Sequence, residues 1–165
     1  MPIHRRWPVR TMFLSWFGLG LLGRAPGTLG SLGSIPLAAA LVLSGGPWVL
    51  FAAAVAVFFL GWRLTALHLR DVTELKDPQW IVIDEVAAQW AVLAALPFSL
   101  PWYAAGFAAF RFFDIVKPWP VSWADRRVGG ALGVMLDDVL AALYAVAILL
   151  AARALLGQGG AGIGS

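Results

Sequence analysis

The sequence contains no cysteine and only two histidines, and just 13% of its 165 residues are charged. Without cysteine there can be no disulfide, thiolate metal site or cysteine nucleophile. His4 and His68 lack partners at metal-binding spacing, which leaves histidine-centred chemistry little to work with. The charged share is about half that of ordinary soluble domains. The net charge is only +3, and no lysine- or arginine-rich run exists. Nucleic acid is therefore not expected as a partner.

What the sequence has in abundance is apolar surface. Hydrophobic residues make up 61% of the chain, and the mean hydropathy is +0.81. A small soluble domain keeps much of its surface in water and could not hide so much of it. A bilayer is the solvent that resolves this. The first residues, MPIHRRWPVRTMFLSWFGLG, carry a basic start and a short, broken apolar stretch with no small-x-small cleavage site. They suit a cytoplasmic membrane interface better than a signal peptide.

The few charges are clustered. Residues 25–62, 86–110 and 139–152 carry none, and every acidic residue falls within 71–85 or 114–138. One bilayer crossing needs about 20 apolar residues. The first uncharged stretch is too long for one helix and breaks at Ser44-Gly45-Gly46-Pro47, which predicts a hairpin of helices over 31–43 and 47–69. The second breaks between Pro97 and Pro101, giving short arms over 84–96 and 102–116 that form a shallow or tilted hairpin or burrow among other helices. A last helix is expected over 132–155. The expected fold is all-α: a compact, multi-helix integral membrane protein built from helical hairpins. Residues 1–157 form one domain, and 158–165 form a Gly-rich, disordered tail. If both stretches are hairpins, both acidic windows lie on one membrane face, which the positive-inside tendency makes cytoplasmic; if the second is a single span, they lie on opposite faces.

Four constellations on that face carry candidate chemistry. In Arg24-Ala25-Pro26-Gly27-Thr28-Leu29-Gly30-Ser31, a Pro-Gly turn precedes an apolar run, with Thr28 or Ser31 available as a helix cap. Free backbone N–H groups there suit phosphate, although an ordinary capped turn reads the same way. Asp84 and Glu85 enter a helix after an apolar triplet, either as dipole-favoured caps or as metal ligands, and Gln89 one turn on could support either role. Arg111, Asp114 and Lys117 recur every three residues and share a helix face that Pro118 ends. That set serves a metal and a phosphate, or else an interfacial ion-pair ladder with Trp119 and Trp123 as belt anchors. Asp137 and Asp138 open the final apolar helix with no cation near in sequence, so either a divalent ion is their partner or they are exposed acids of a cytoplasmic loop. The segment 70–78 reads as a solvated connector, and Asp125, Arg126 and Arg127 as interfacial surface charge.

The blocks PGTLGS, IDE, FRFFDIVKPWP and GGALGVMLDD, in that order, resemble the bacterial phosphatidylglycerophosphatase A family over most of the chain. The resemblance implies a Mg²⁺-dependent, multi-pass phosphatase of the bacterial inner membrane with its site facing the cytoplasm. It would convert the phospholipid phosphatidylglycerophosphate to phosphatidylglycerol and inorganic phosphate. Carried across by motif, the acidic positions are Asp84, Glu85, Asp114, Asp137 and Asp138, and the basic ones Arg111 and Lys117. Gly27, Thr28 and Ser31 complete the phosphate-binding set. Glu85, Asp114, Asp137 and Asp138 are the expected metal ligands. Asp84, Glu85, Asp114 and Asp138 are the expected catalytic acids, with Asp84 orienting or deprotonating the attacking water. Ala88 and Ala142 stand where family members often carry glycine, small for small at expected helix contacts. An aspartyl-phosphate route ranks lower because no DxD element is present. A transporter or structural membrane protein is the rival reading from composition alone.

Overall fold

The computed structural model describes residues 8–71 and 78–159. Every regular element among them is helical: α1 (Pro8–Leu14), a 3₁₀ turn (Leu19–Leu21), α2 (Pro26–Gly45), α3 (Pro47–Asp71), α4 (Ile83–Ala94), α5 (Leu100–Val116), α6 (Val121–Arg127) and α7 (Gly130–Gly159). His4, most of the connector after Asp71, and residues 160–165 of the expected tail lie outside the described residues.

The break expected at residues 44–47 is the turn between α2 and α3. Gly46 sits at φ +80°, a region that glycine enters without a Cβ penalty. Its N–H returns to the Val42 carbonyl at 2.8 Å. Pro47 then starts α3, at a position where its missing N–H leaves no bond unmade. α2, with 20 residues, and α3, with 25, rise about 30 and 37 Å. With α7 they are the three described helices long and apolar enough to cross a membrane. α2 begins at Pro26, five residues earlier than expected.

α4 resolves the question of the short arms. Its 12 residues rise about 18 Å, well under the roughly 30 Å of a hydrocarbon core. It is buried along most of its length, Asp84 and Gln89 included, so it lies among the other helices. Two apolar cores meet on it. In one, Trp90 packs edge-on to Trp16, with ring centres 5.4 Å apart, and donates through Nε1 to the Ser34 carbonyl of α2 at 3.2 Å. In the other, Ala88 and Val92 join Phe110 of α5 and Ala141, Ala142 and Ala145 of α7. The chain entering α4 is pinned in turn, because the Val82 N–H donates to the Leu14 carbonyl at 2.9 Å. Trp48, Phe59 and Leu143 are more than half exposed, as expected of spanning helices whose outer faces meet lipid rather than water.

Candidate active site

The expected acids converge. A pocket of about 280 Å³ is lined by all five, Asp84, Glu85, Asp114, Asp137 and Asp138, together with Arg111, Lys117 and Gly27. Its wall is built from the N-terminal turns of α2 and α4, the C-terminal end of α5 and the second turn of α7. α4 brings its carboxylates from its first turn, α7 from two turns in, and α5 brings Asp114 from its last turn.

Arg111 joins α5 to α4. Its Nη1 lies 2.6 Å from Asp114 Oδ2 and 3.0 Å from Glu85 Oε1. Its Nε is buried with no acceptor among the described residues. The backbone at Lys117 turns left-handed, at φ +48°, which ends α5 and swings the side chain away from the Arg111 face. Lys117 Nζ instead meets Asp137 Oδ2 at 2.6 Å and Asp125 Oδ1 at 2.5 Å. Burial alone would lower the pKa of this ammonium. Its hydrogen bonds and charge contacts with Asp125 and Asp137 outweigh that and hold it above the ordinary lysine range. The loop that follows is anchored by Tyr144, which donates to the Trp119 carbonyl at 2.7 Å and stacks on Phe113.

Asp114, Asp137 and Asp138 offer oxygens that all lie within 4.8 Å of one another, and all three residues are buried. Asp138 is 3% exposed and makes no ion pair with a described residue. Octahedral ligands about 2.1 Å from Mg²⁺ stand at most about 4.2 Å apart, so small side-chain movements would close this triad on a cation. Charge argues the same way. Five carboxylates line the pocket against the cations Arg24, Arg111 and Lys117, and buried negative charge in excess is costly unless a cation joins it. The residues therefore fit a hard divalent ion. Glu85, expected among the ligands, lines the same pocket but is engaged with Arg111 rather than belonging to the triad.

Only part of the turn before α2 reaches the pocket. Thr28 and Ser31 do not line the pocket. Ser31 is fully buried one turn inside α2, its hydroxyl without a partner among the described residues. Ala25, Pro26 and Gly27 do line it, and the first N–H groups of a helix have no intrahelical acceptor. Gln89 is also fully buried, its amide unpartnered among the described residues, and it lies outside the pocket. Three participants were not among the expected site residues. Arg24 and Gln79 line the wall, and Asp125 holds Lys117 rather than serving as plain surface charge.

Fold and site together define a helical protein of membrane-spanning composition, with an acidic, cation-bordered pocket where its helices begin. A family profile described as Phosphatidylglycerophosphatase A matches residues 12–153. The chain belongs to that family, a family of phosphatases. It is 41% identical over 136 residues to the Phosphatidylglycerophosphatase A of Haemophilus influenzae, covering 82% of this chain and 83% of the relative. It is 39% identical over 135 residues to that of Escherichia coli, covering 81% and 77%. A Bacteroides thetaiotaomicron protein, named provisionally as a phosphatidylinositol-3-phosphatase, is 37% identical over 146 residues, covering 86% and 91%. No solved structure matches the chain.

Proposed function

We propose that this chain hydrolyses phosphatidylglycerophosphate to phosphatidylglycerol and inorganic phosphate, using Mg²⁺, at the cytoplasmic face of a bacterial inner membrane. The observation that carries the reading is the buried Asp114–Asp137–Asp138 triad sharing one pocket with Arg111 and Lys117. The names of the family and of two relatives supply the substrate. The third relative's name makes a phosphoinositide the natural alternative headgroup.

In this reading Asp114, Asp137 and Asp138 would hold the cation, which would supply Lewis-acid stabilisation of charge on the phosphoryl oxygens. Arg111 and Lys117 face the remaining oxygens, already oriented by their carboxylate partners. The N–H groups at the start of α2 add donors beside Gly27. Asp84 lies at the same wall, its Oδ1 accepting the Glu85 N–H at 2.9 Å, and takes a proton from the attacking water. The water oxygen bonds to phosphorus as the bond from phosphorus to the glycerol oxygen breaks, the freed glycerol oxygen takes up a proton to become the product hydroxyl, and the diacylglycerol part never leaves the bilayer.

The test is inorganic phosphate release from phosphatidylglycerophosphate in detergent micelles, with Mg²⁺ or with EDTA, for wild type and Asp138→Asn. Phosphatidylinositol 3-phosphate is run in parallel. Release that needs Mg²⁺ and that the variant loses supports the proposal. Release from the phosphoinositide alone reassigns the substrate. No release from either, by a folded protein, refutes the reading.

A further inference from the structure

Directly below the acidic pocket the same helices enclose a second, larger space. It is an apolar trough of about 690 Å³ between α3, α4 and α7, with no charged side chain in its lining. Its floor is alanine: Ala87, Ala88 and Ala91 of α4, Ala95 just past that helix's end, and Ala142 of α7. Its rim is large and apolar, with Trp48, Phe51 and Phe59 on α3 and Leu143 on α7, each 45% exposed or more. Small residues on two helices opposite aromatics on a third leave a channel that opens sideways, toward the lipid.

Its position relative to the pocket is set by helix geometry. Residues three or four apart share a helix face. Asp84 lines the pocket, and Ala87 and Ala88 line the trough. Asp138 lines the pocket, and Ala142 lines the trough. The two spaces are therefore consecutive turns of one α4–α7 surface, with the change from carboxylate to alanine marking the border. From Ala87 to Ala95, one residue past the end of α4, the trough runs about 12 Å, close to the roughly 15 Å depth of one leaflet.

We propose that this trough seats one fatty acyl chain of the phospholipid whose phosphate enters the pocket, and so acts as an orienting subsite; the inference rests on the lipid-phosphatase reading above. A chain already in lipid gains little transfer energy on entering it, because lipid tails are as apolar as the lining. What it gains is alignment. A tail laid along α4 fixes the headgroup's height and rotation over Asp84 and Asp138, and the payoff is in kcat/KM for acylated substrate.

Ala91 and Ala95 are half-buried and line the trough, so larger side chains there fill it. The experiment compares wild type, Ala91→Phe and Ala95→Phe on diacyl phosphatidylglycerophosphate of two chain lengths and on its water-soluble deacylated analogue. Ala91→Phe is expected to lower kcat/KM for both lipids about 10- to 100-fold, the scale of a misplaced reacting group, and to leave the deacylated analogue unchanged. Ala95→Phe, deeper in, is expected to penalise the longer chain more than the shorter. Equal losses on all substrates, or none on any, would overturn the subsite. As a readout independent of turnover, a phospholipid with a photoactivatable acyl chain is expected to label Phe51 and Phe58 above the outer face of α2. Uniform labelling of α2 and α3 would also overturn it. If the wild type releases phosphate from none of the substrates, it is the phosphatase reading that fails, and the labelling pattern still decides the trough.

Discussion

Glu85 occupies the space that a side chain on Gly27 would need: a Cβ built there would lie 1.7 Å from Glu85 Oε1 and 2.4 Å from its Cδ. The start of α2 and the start of α4 thus approach through backbone on one side and a carboxylate on the other. That same oxygen accepts from Arg111, so the contact sets where the guanidinium is held.

Gly27→Ala is accordingly expected to displace the Glu85 carboxylate and loosen Arg111 without unfolding the protein. Phosphate release should fall about 10²-fold, with the circular dichroism spectrum unchanged and the thermal midpoint within a few degrees of wild type. A fully active Gly27→Ala protein would show that the Glu85 position is irrelevant to turnover.

Asp138→Asn should separate stability from activity. The residue is buried among carboxylates and has no ion-pair partner among the described residues, so neutralising it removes like-charge repulsion. In metal-free detergent the variant is expected to melt a few degrees above wild type, while phosphate release drops by at least about 10³-fold. A lower midpoint with activity retained would contradict both halves.

Lys117 and Asp125 should differ sharply in cost. Asp125 is 43% exposed in its pair with Lys117, and such pairs are worth about 0.2–1 kcal/mol, so Asp125→Asn should reduce turnover no more than about fivefold. Lys117→Met removes the ammonium itself and leaves Asp137 without its cation, with an expected loss of about 10²–10³-fold. The two variants are compared in one phosphate-release series. Equal losses would move the chemistry from Lys117 to Asp125.

Divalent ion should act on stability as well as on rate. A ligand held by the folded state at about 100 times its dissociation constant adds about 2.7 kcal/mol. EDTA is therefore expected to lower the thermal midpoint of wild type and to leave the Asp114→Asn/Asp137→Asn/Asp138→Asn triple variant unmoved. An equal shift in both proteins would place the bound ion elsewhere.

Much of this architecture was legible in the residues, for reasons that are local. Gly45-Gly46-Pro47 can hardly be anything but a turn between two apolar runs, and it is one. Arg111 and Asp114, three apart, pair as the helical period requires. Lys117 follows the same period but not the same partner, since Pro118 ends the helix and the resulting turn sends its amine to Asp137 and Asp125. The link from Lys117 to Asp125 passes through a proline turn and the short α6, and no periodicity announces it. Arg24 and Gln79 reach the pocket only because tertiary contacts carry them there. Ser31 was legible as a cap only on the assumption that α2 starts beside it. Pro26 starts the helix instead, and Ser31 becomes interior. Ala88 and Ala142, expected at helix contacts, are both buried where α4, α5 and α7 meet.

Three of the described helices are long and apolar enough to cross a bilayer, and α4 with α5 turns back on itself. If those three helices each cross once, an odd number of crossings separates the two ends of the described chain: α1 lies on the pocket side, and α7 finishes on the other. A reporter fused after α7 would therefore sit across the membrane from the chemistry. A single protease-accessibility or alkaline-phosphatase fusion measurement at that end would fix the orientation of the whole enzyme, pocket included, without touching one residue of the site.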